Sequence, residues 1–378
     1  MEIHGHCAPE FEPVRDAFRA NFEQGREVGA SVAVTRAGRP VVDLWAGDAA
    51  KGGAPWQEDT IVNVYSTTKT MAAISLLVLA DRGELDLDAP VARYWPEFAQ
   101  NGKDDVRVSH VMSHSAGLSG FDPPLAAPEE LYDHAAIADG LARQAPWWTP
   151  GDGSGYHAVT QGYLQAELVR RITGDTLGAF FRQHVAEPLG ADFHIGLPPE
   201  HDARVGELVP PEVALNQREG AKDSIAIRTL RSCPVNGSEP RTTGWRRAEI
   251  PAAGGIGNAR AVARIHSALA CGGAVDGVQL LSKRTLDRVF EVQSEGTDRV
   301  LGVPIRFGMG FGLFGGAFAL TSGERACFWG GWGGSLAVID QDAELSVAYV
   351  MNRMEAELLG DPRGGSLVLA AYKAIGQG

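Results

Sequence analysis

The stretch Thr70–Ala80, Thr-Met-Ala-Ala-Ile-Ser-Leu-Leu-Val-Leu-Ala, is apolar on nearly every side of a helix. Such a helix has no face to offer water, so it must be wrapped by a larger protein. The 378 residues of the chain are enough for that core, as one large domain or as two that share a site. Directly before the run stands Ser66-Thr67-Thr68-Lys69. Residues three apart lie one turn apart on the same helix face, so Ser66 and Lys69 face each other where the helix begins. Lys69 is the only charged residue between Asp59 and Asp81. Buried, its amine would lose its proton more easily and become a base. A serine hydroxyl needs such a neighbour to act as a nucleophile, and the positive end of the helix dipole favours negative charge there. The competing reading is a lysine that snorkels to the surface.

Composition narrows the class. A hydrophobic content of 44% and a charged content of 21% are those of a soluble globular protein. The net charge of -13 argues against a nucleic-acid or anionic-membrane partner. The N-terminal residues Met1–Glu10 have no basic flank and no apolar segment of the signal-peptide kind, and no apolar run is long enough for a bilayer. Cys7, Cys233, Cys271 and Cys327 are scattered and form no CxxC, which reads as reduced thiols in a cytoplasmic protein.

The periodicity predicts an amphipathic helix over 9–25, with Phe11, Val14, Phe18 and Phe22 in one stripe. Ala30–Thr35 and Pro40–Trp45 read as strands joined by a hairpin at Arg36–Arg39. From Val108 to about Thr229 the pattern is mainly helical. Phe307–Phe314, Arg325–Trp329, Ser335–Asp340 and Leu345–Met351 read as successive strands, and Ser366–Ile375 as a closing helix. Strands at both ends with helices between them predict an α+β fold. Residues 1–85 and 245–378 would form an α/β domain from both termini, and 86–244 a mainly helical one.

Other segments carry possible chemistry. Pro150–His157 is a glycine-rich turn that exposes Tyr156 at a helix start. A tyrosine there can relay a proton if a nearby ammonium lowers its pKa; otherwise it simply packs. Phe328–Ser335 is a strand edge crowded with glycine, suited to a close backbone approach or an oxyanion hole, or merely to a bulge. His110 and His114 have the spacing of two metal ligands without the glutamate of H-E-x-x-H. His4-Gly-His6-Cys7 resembles a metal clip on a terminus expected to fray. No metal site is expected at either. No G-x-S-x-G elbow occurs, against an α/β-hydrolase, and no P-loop or dinucleotide fingerprint occurs.

Five segments in register resemble the serine β-lactamase and penicillin-binding superfamily, and more narrowly the family VIII carboxylesterases, close in fold to class C β-lactamases. They are Tyr65–Lys69 for S-x-x-K, Gly83–Phe98 after the nucleophile helix, Val108–Leu118, Tyr156 for the Y-x-N tyrosine, and Glu249–Arg260 followed by Trp329–Gly331 at the K-T-G strand. The likeness runs from about residue 8 to 375. It implies a β-lactamase/transpeptidase-like fold, an antiparallel sheet flanked by helices plus a mainly helical domain, with the site between them. It implies Ser66 as acylated nucleophile, with Lys69 and Tyr156 sharing base and acid work. The backbone N–H groups of Ser66 and Trp332 would form the oxyanion hole. Trp329, Gly330, Gly331 and His157 would contact substrate. No cofactor is implied, and the partner is a small-molecule ester.

Two departures matter. Ala158 stands where the Y-x-N asparagine would be, and Trp329-Gly330 where the lysine and threonine of K-T-G would be. Sites that lose polar groups stop favouring polar substrates. The expectation is therefore a serine carboxylesterase for neutral, short-chain esters, with Trp329 as an apolar wall. The alternatives are an acyltransferase, a weak β-lactamase or D-amino-acid peptidase, and a non-catalytic penicillin-recognition-like binding protein. Retention of Ser66, Lys69 and Tyr156 together speaks against the last. The oligomeric state is not readable.

Overall fold

A computed structural model of the chain describes residues 1–315, 318 and 323–376. Nine strands form its main sheet: β1 (Ile3–Cys7), β2 (Gly29–Arg36), β3 (Arg39–Gly47), β4 (Ser294–Thr297), β5 (Pro304–Phe307), β6 (Gly312–Leu313), β7 (Ala326–Gly330), β8 (Leu336–Asp340) and β9 (Leu345–Met351). The spatial order is β1-β3-β2-β9-β8-β7-β6-β5-β4, and the pairings are antiparallel. The β2–β3 hairpin forms where expected, with Ala37 and Gly38 both at positive φ, 47° and 75°, the backbone that the tightest hairpin turns require. Chain ends meet at the centre, where Ala30 pairs with Met351 and Arg36 with Leu345.

Helices cover both faces of this sheet. Helices α1 (Glu12–Glu23), α2 (Thr68–Asp81), α3 (Thr160–Thr173), α4 (Ala259–Ala270) and α5 (Pro362–Ala374) are the long ones. The Ser31 hydroxyl accepts the first N–H of α4, Ala259, at 3.3 Å. Ser31 pairs with Val350, so Val350 shares that face while its neighbour Tyr349 points to the other. There Tyr349 meets Gly364 of α5, and α1 lies against α5. Residues 68–79 of α2 are all buried, the outcome its all-round apolar sequence demands. A second sheet joins Val62–Asn63 and Phe193–Ile195 to either edge of Gly255–Gly257, tying the residues before Ser66 to the segment between the sheet's two halves. No described helix is long and apolar enough to cross a membrane.

Two expectations need correction. The N-terminal segment does not fray: it is edge strand β1, with Ile3 opposite Ala46 and Cys7 opposite Val42. Alternation along a strand sends His4 and His6 to one face and Cys7 to the other, so they make no metal clip; His4 instead stacks on Trp45, 6.3 Å between centroids. Phe307–Phe314 is not one strand but the end of β5, a turn and β6. Gly308 donates to the Phe311 carbonyl (2.9 Å) and Gly310 sits at φ 88°, so the glycines reverse the chain.

Candidate active site

Ser66 lies in a single 3₁₀ turn, Tyr65–Thr67, that leads directly into α2. The turn is tight. Tyr65 adopts φ 43°, a conformation that a bulky residue holds only when its surroundings enforce it. The Thr68 hydroxyl donates to the Tyr65 carbonyl (2.5 Å) and accepts the Gly255 N–H (2.9 Å). The Tyr65 ring meets Trp332 edge-on at 5.1 Å.

Lys69 does not snorkel. It is 1% exposed, and its Nζ lies 3.0 Å from Ser66 Oγ, 2.7 Å from the Ala158 carbonyl and 3.0 Å from the Ala252 carbonyl. Burial, with no carboxylate to offset it, holds the amine well below its ordinary pKa of 10.5. Ala158 thus meets the lysine through its backbone carbonyl.

Tyr156 arrives from the glycine-rich turn, and backbone contacts fix it. Its N–H donates to Asp298 Oδ1 (3.0 Å), Gly155 N–H to the His114 carbonyl (3.0 Å) and His157 N–H to His114 Nδ1 (3.0 Å). Its phenol donates to Ser66 Oγ at 2.5 Å. Burial raises the phenol pKa above 10, and the hydrogen bond to Ser66 and the nearby Trp329 indole only partly oppose this. The expected lowering by an ammonium is therefore corrected: burial raises the phenol and lowers the amine, and Lys69 is not among the groups that shift Tyr156.

The other sequence-predicted residues divide. His157 is fully buried. Its Nε2 accepts the Leu118 N–H (3.0 Å), so Nδ1 carries the proton and donates to the Gly155 carbonyl (2.6 Å). Burial takes its pKa down to about 3. The ring is a neutral strut that does not line the space at Ser66, which corrects that expectation. His110 and His114 likewise hold backbone, with His110 Nδ1 accepting the Arg107 N–H at 3.2 Å. Trp329 is 2% exposed and packs against Tyr156, its ring 5.3 Å from that ring, 5.8 Å from His114 and 5.4 Å from Phe307. Strand alternation turns the indole into this aromatic stack, so it backs the tyrosine and does not wall the cleft.

Gly331 presses on the serine turn. A Cβ there would run into the Val64 carbonyl and stand 3.1 Å from the Ser66 nitrogen. Trp332 follows Gly331 and lines the same cleft as Ser66, which makes the Trp332 N–H the candidate partner of the Ser66 N–H. Ser66 N–H lies in the first helical turn, which has no acceptor of its own, and neither group donates to a described residue. Two free N–H groups beside a hydroxyl that touches an amine and a phenol can serve acyl transfer.

Ser66 opens on a narrow cleft with about 50 Å³ of open space, lined also by Phe121, Ala158, Leu215, Leu230, Trp332 and Leu358. Sequence reasoning missed Phe121, Leu215, Leu230 and Leu358. They come from separate loops with no motif, and only the fold gathers them. Gly330 and Gly331 border a neighbouring apolar groove of about 360 Å³ with Phe314, Phe328 and Leu358.

Comparison with known proteins identifies the family. The family model described as Beta-lactamase matches residues 14–370. The esterase/beta-lactamase LipL of Mycobacterium tuberculosis is 36% identical, over 96% of this chain and 86% of its own. The crystal structure of a family VIII carboxylesterase superposes with a TM-score of 0.93 at 41% identity, covering 99% of this chain and all (100%) of that one. A penicillin-binding protein homologue from Caulobacter crescentus gives 0.91 at 39%, covering 99% and 100%.

Proposed function

The chain belongs to the β-lactamase family, and from that premise we propose that this serine hydrolase is a carboxylesterase for neutral, short-chain esters, working through an acyl-Ser66 intermediate. Serine ester hydrolysis in general fits its relatives. The observation that carries the finer reading is the contact of one hydroxyl, Ser66 Oγ, with both Lys69 Nζ (3.0 Å) and Tyr156 Oη (2.5 Å).

The mechanism follows from counting protons. A neutral amine has two N–H bonds and one lone pair. The Ala158 and Ala252 carbonyls can only accept, and they use both N–H bonds. The lone pair is left facing Ser66, whose O–H donates to it. Oγ attacks the ester carbonyl and Lys69 takes the proton. The oxyanion settles between the Ser66 and Trp332 N–H groups. Tyr156, still protonated, supplies a proton to the departing alkoxide and is reprotonated from Lys69. Water then repeats the attack in the alcohol's place and releases the acid.

The cleft supports the substrate class. None of the described side chains lining it is charged, so an anionic substrate gains no partner there. Its open space of about 50 Å³ is well under the ~150 Å³ of an apolar cavity that takes up benzene, which favours a short acyl chain. The partner is then a small-molecule ester, not a nucleic acid or a membrane. All four cysteines are free thiols, in keeping with a cytoplasmic setting.

The test is a ladder of p-nitrophenyl esters, from acetate to dodecanoate, run beside a chromogenic cephalosporin, with mass spectrometry of the quenched enzyme. We expect fastest turnover at the short end and a transient acyl group on the Ser66 peptide. Faster cephalosporin hydrolysis, or an acyl group elsewhere, would refute the reading.

A further inference from the structure

The Trp332 N–H has a line of hydrogen bonds behind it. Its peptide unit also contains the Gly331 carbonyl, and that carbonyl accepts the Gly334 N–H at 3.0 Å. The Gly334 N–H belongs to the same peptide unit as the Gly333 carbonyl. That oxygen accepts from Arg363 Nη2 at 2.7 Å and from the Glu355 N–H at 3.1 Å. A guanidinium therefore stands at one end of two peptide units in series, and the candidate oxyanion-hole donor stands at the other.

We propose that Arg363 is a positioning residue for the oxyanion hole, orienting and polarising the Trp332 N–H through the Gly333–Gly334 and Gly331–Trp332 peptides. The proposal rests on the esterase reading above. Hydrogen bonds in a chain strengthen one another, by roughly 10–30% per bond. A cation on the first carbonyl draws electron density toward itself. Each N–H further along becomes a better donor, and the last one meets the charge that forms on the ester oxygen.

Arg363 is built to hold still. It is 1% exposed, near the start of α5. Its Nε and Nη2 donate to the Asp361 carboxylate, at 3.1 and 2.6 Å. Its Nη1 donates to Glu27 Oε2 (3.2 Å) and to the Arg26 and Arg353 carbonyls (3.2 and 2.9 Å). Tyr349 caps the other oxygen of Glu27. A buried ion cluster is a costly way to fasten a helix, since apolar residues often do that as well or better. A cost of that kind suits a charge that is needed at the site.

The loop itself is fitted to the cluster. Gly333 and Gly334 have φ of 100° and 125°, which favours glycine. A Cβ on Gly334 would stand 2.7 Å from Arg363 Nη2, and one on Gly333 would stand 2.7 Å from Met354 Cγ. The Gly333–Gly334 peptide therefore lies directly on the guanidinium.

The test compares Arg363→Met, Arg363→Lys and Glu27→Gln in the full chain. Each is assayed on p-nitrophenyl acetate and then labelled with a p-nitrophenyl alkylphosphonate, whose phosphoryl oxygen takes the oxyanion's place. Removing an oxyanion-hole donor outright costs about 10²–10³ in kcat; weakening one should cost about tenfold. Arg363→Met should lose that much kcat with KM within about twofold, and the ³¹P resonance of its Ser66 adduct should move from the wild-type position. Arg363→Lys should recover part of both and, being the milder change, supplies the answer if the methionine variant does not fold. Glu27→Gln, which keeps the bond to Gly333, should keep the wild-type ³¹P position even if it melts earlier. Unchanged kcat and ³¹P shift in the folded Arg363 variants would overturn the proposal, as would an equal ³¹P displacement in Glu27→Gln. Wild-type enzyme that takes no label on Ser66 would instead overturn the esterase reading beneath it.

Discussion

The Trp329 indole packs against the Tyr156 ring, with the ring centroids 5.3 Å apart. It supports the phenol that touches the serine, and His114 and Phe307 complete the stack. Trp329→Ala should therefore destabilise the fold by about 3–5 kcal/mol, as for other buried large-to-small changes. It should lower kcat while leaving the preference among acyl chain lengths unchanged. Trp329→Phe should restore most of both. Thermal melts and the ester ladder check this, and an altered chain-length profile would put the indole back in the cleft.

Ser66→Ala should abolish covalent labelling. Removing the nucleophile of a serine hydrolase costs roughly 10⁶-fold in turnover. Near-normal turnover in this variant, measured after removal of any contaminating esterase, would remove Ser66 from the mechanism.

Lys69 and Tyr156 meet at one oxygen, so their losses should not multiply. Lys69→Ala and Tyr156→Phe should each reduce kcat heavily, and the double variant little further, as for residues acting as one unit. Kinetics of the three variants on a single ester give the answer. A fully multiplicative loss would mean two independent roles.

Activity should rise with pH as Lys69 loses its proton and level off well below 10.5, because burial lowers that pKa. It should not fall again through loss of the phenol proton near pH 10, because burial raises the Tyr156 pKa above that value. A profile of kcat/KM against pH tests both limbs. A maximum on the acid side would contradict the neutral amine.

Acid should loosen the fold through its buried histidines. His157 and His266 have pKa values lowered to about 3 and about 4, in each case chiefly by burial. A folded-state pKa below the unfolded 6.5 means stability that is fully present above 6.5 and is lost as pH falls toward the folded value. Melting temperature should decline from pH 7 to pH 5. His157→Gln should melt earlier at pH 7 through its lost contacts but show a shallower decline. Parallel declines in the two proteins would mean that His157 carries none of the effect.

The parts of the molecule read most directly from sequence are those where one local pattern decides the outcome. The all-round apolar run fixes α2, continuous apolar runs rich in β-branched residues mark β2, β8 and β9, and alternation marks β3. Ser66, Lys69 and Tyr156 were legible because their chemistry is unusual for their surroundings. β1 was not, since two histidines and a glycine hide a strand that only its partner β3 stabilises. His157 and Trp329 are placed by their packing, not by the motifs beside them. Proximity to a motif predicts proximity to the site, whereas the direction of a side chain depends on which neighbours can bury it. Arg363 lies in an unremarkable polar segment. Its tie to Gly333 is a long-range contact that no local spacing announces.

The pairing of β2 with β9 has a consequence for how the chain is made. The two strands come from opposite ends of the sequence, so when β2 leaves the ribosome its inner edge has no mate. The completed β2–β3 hairpin must wait, with an apolar surface uncovered, until almost the whole polypeptide has been synthesised. Pairings so distant in sequence form late and slowly, and the waiting edge is open to other chains. Newly made protein should therefore depend on chaperones until its C-terminal strands are released, and truncation before β9 should give aggregates and not a smaller folded core.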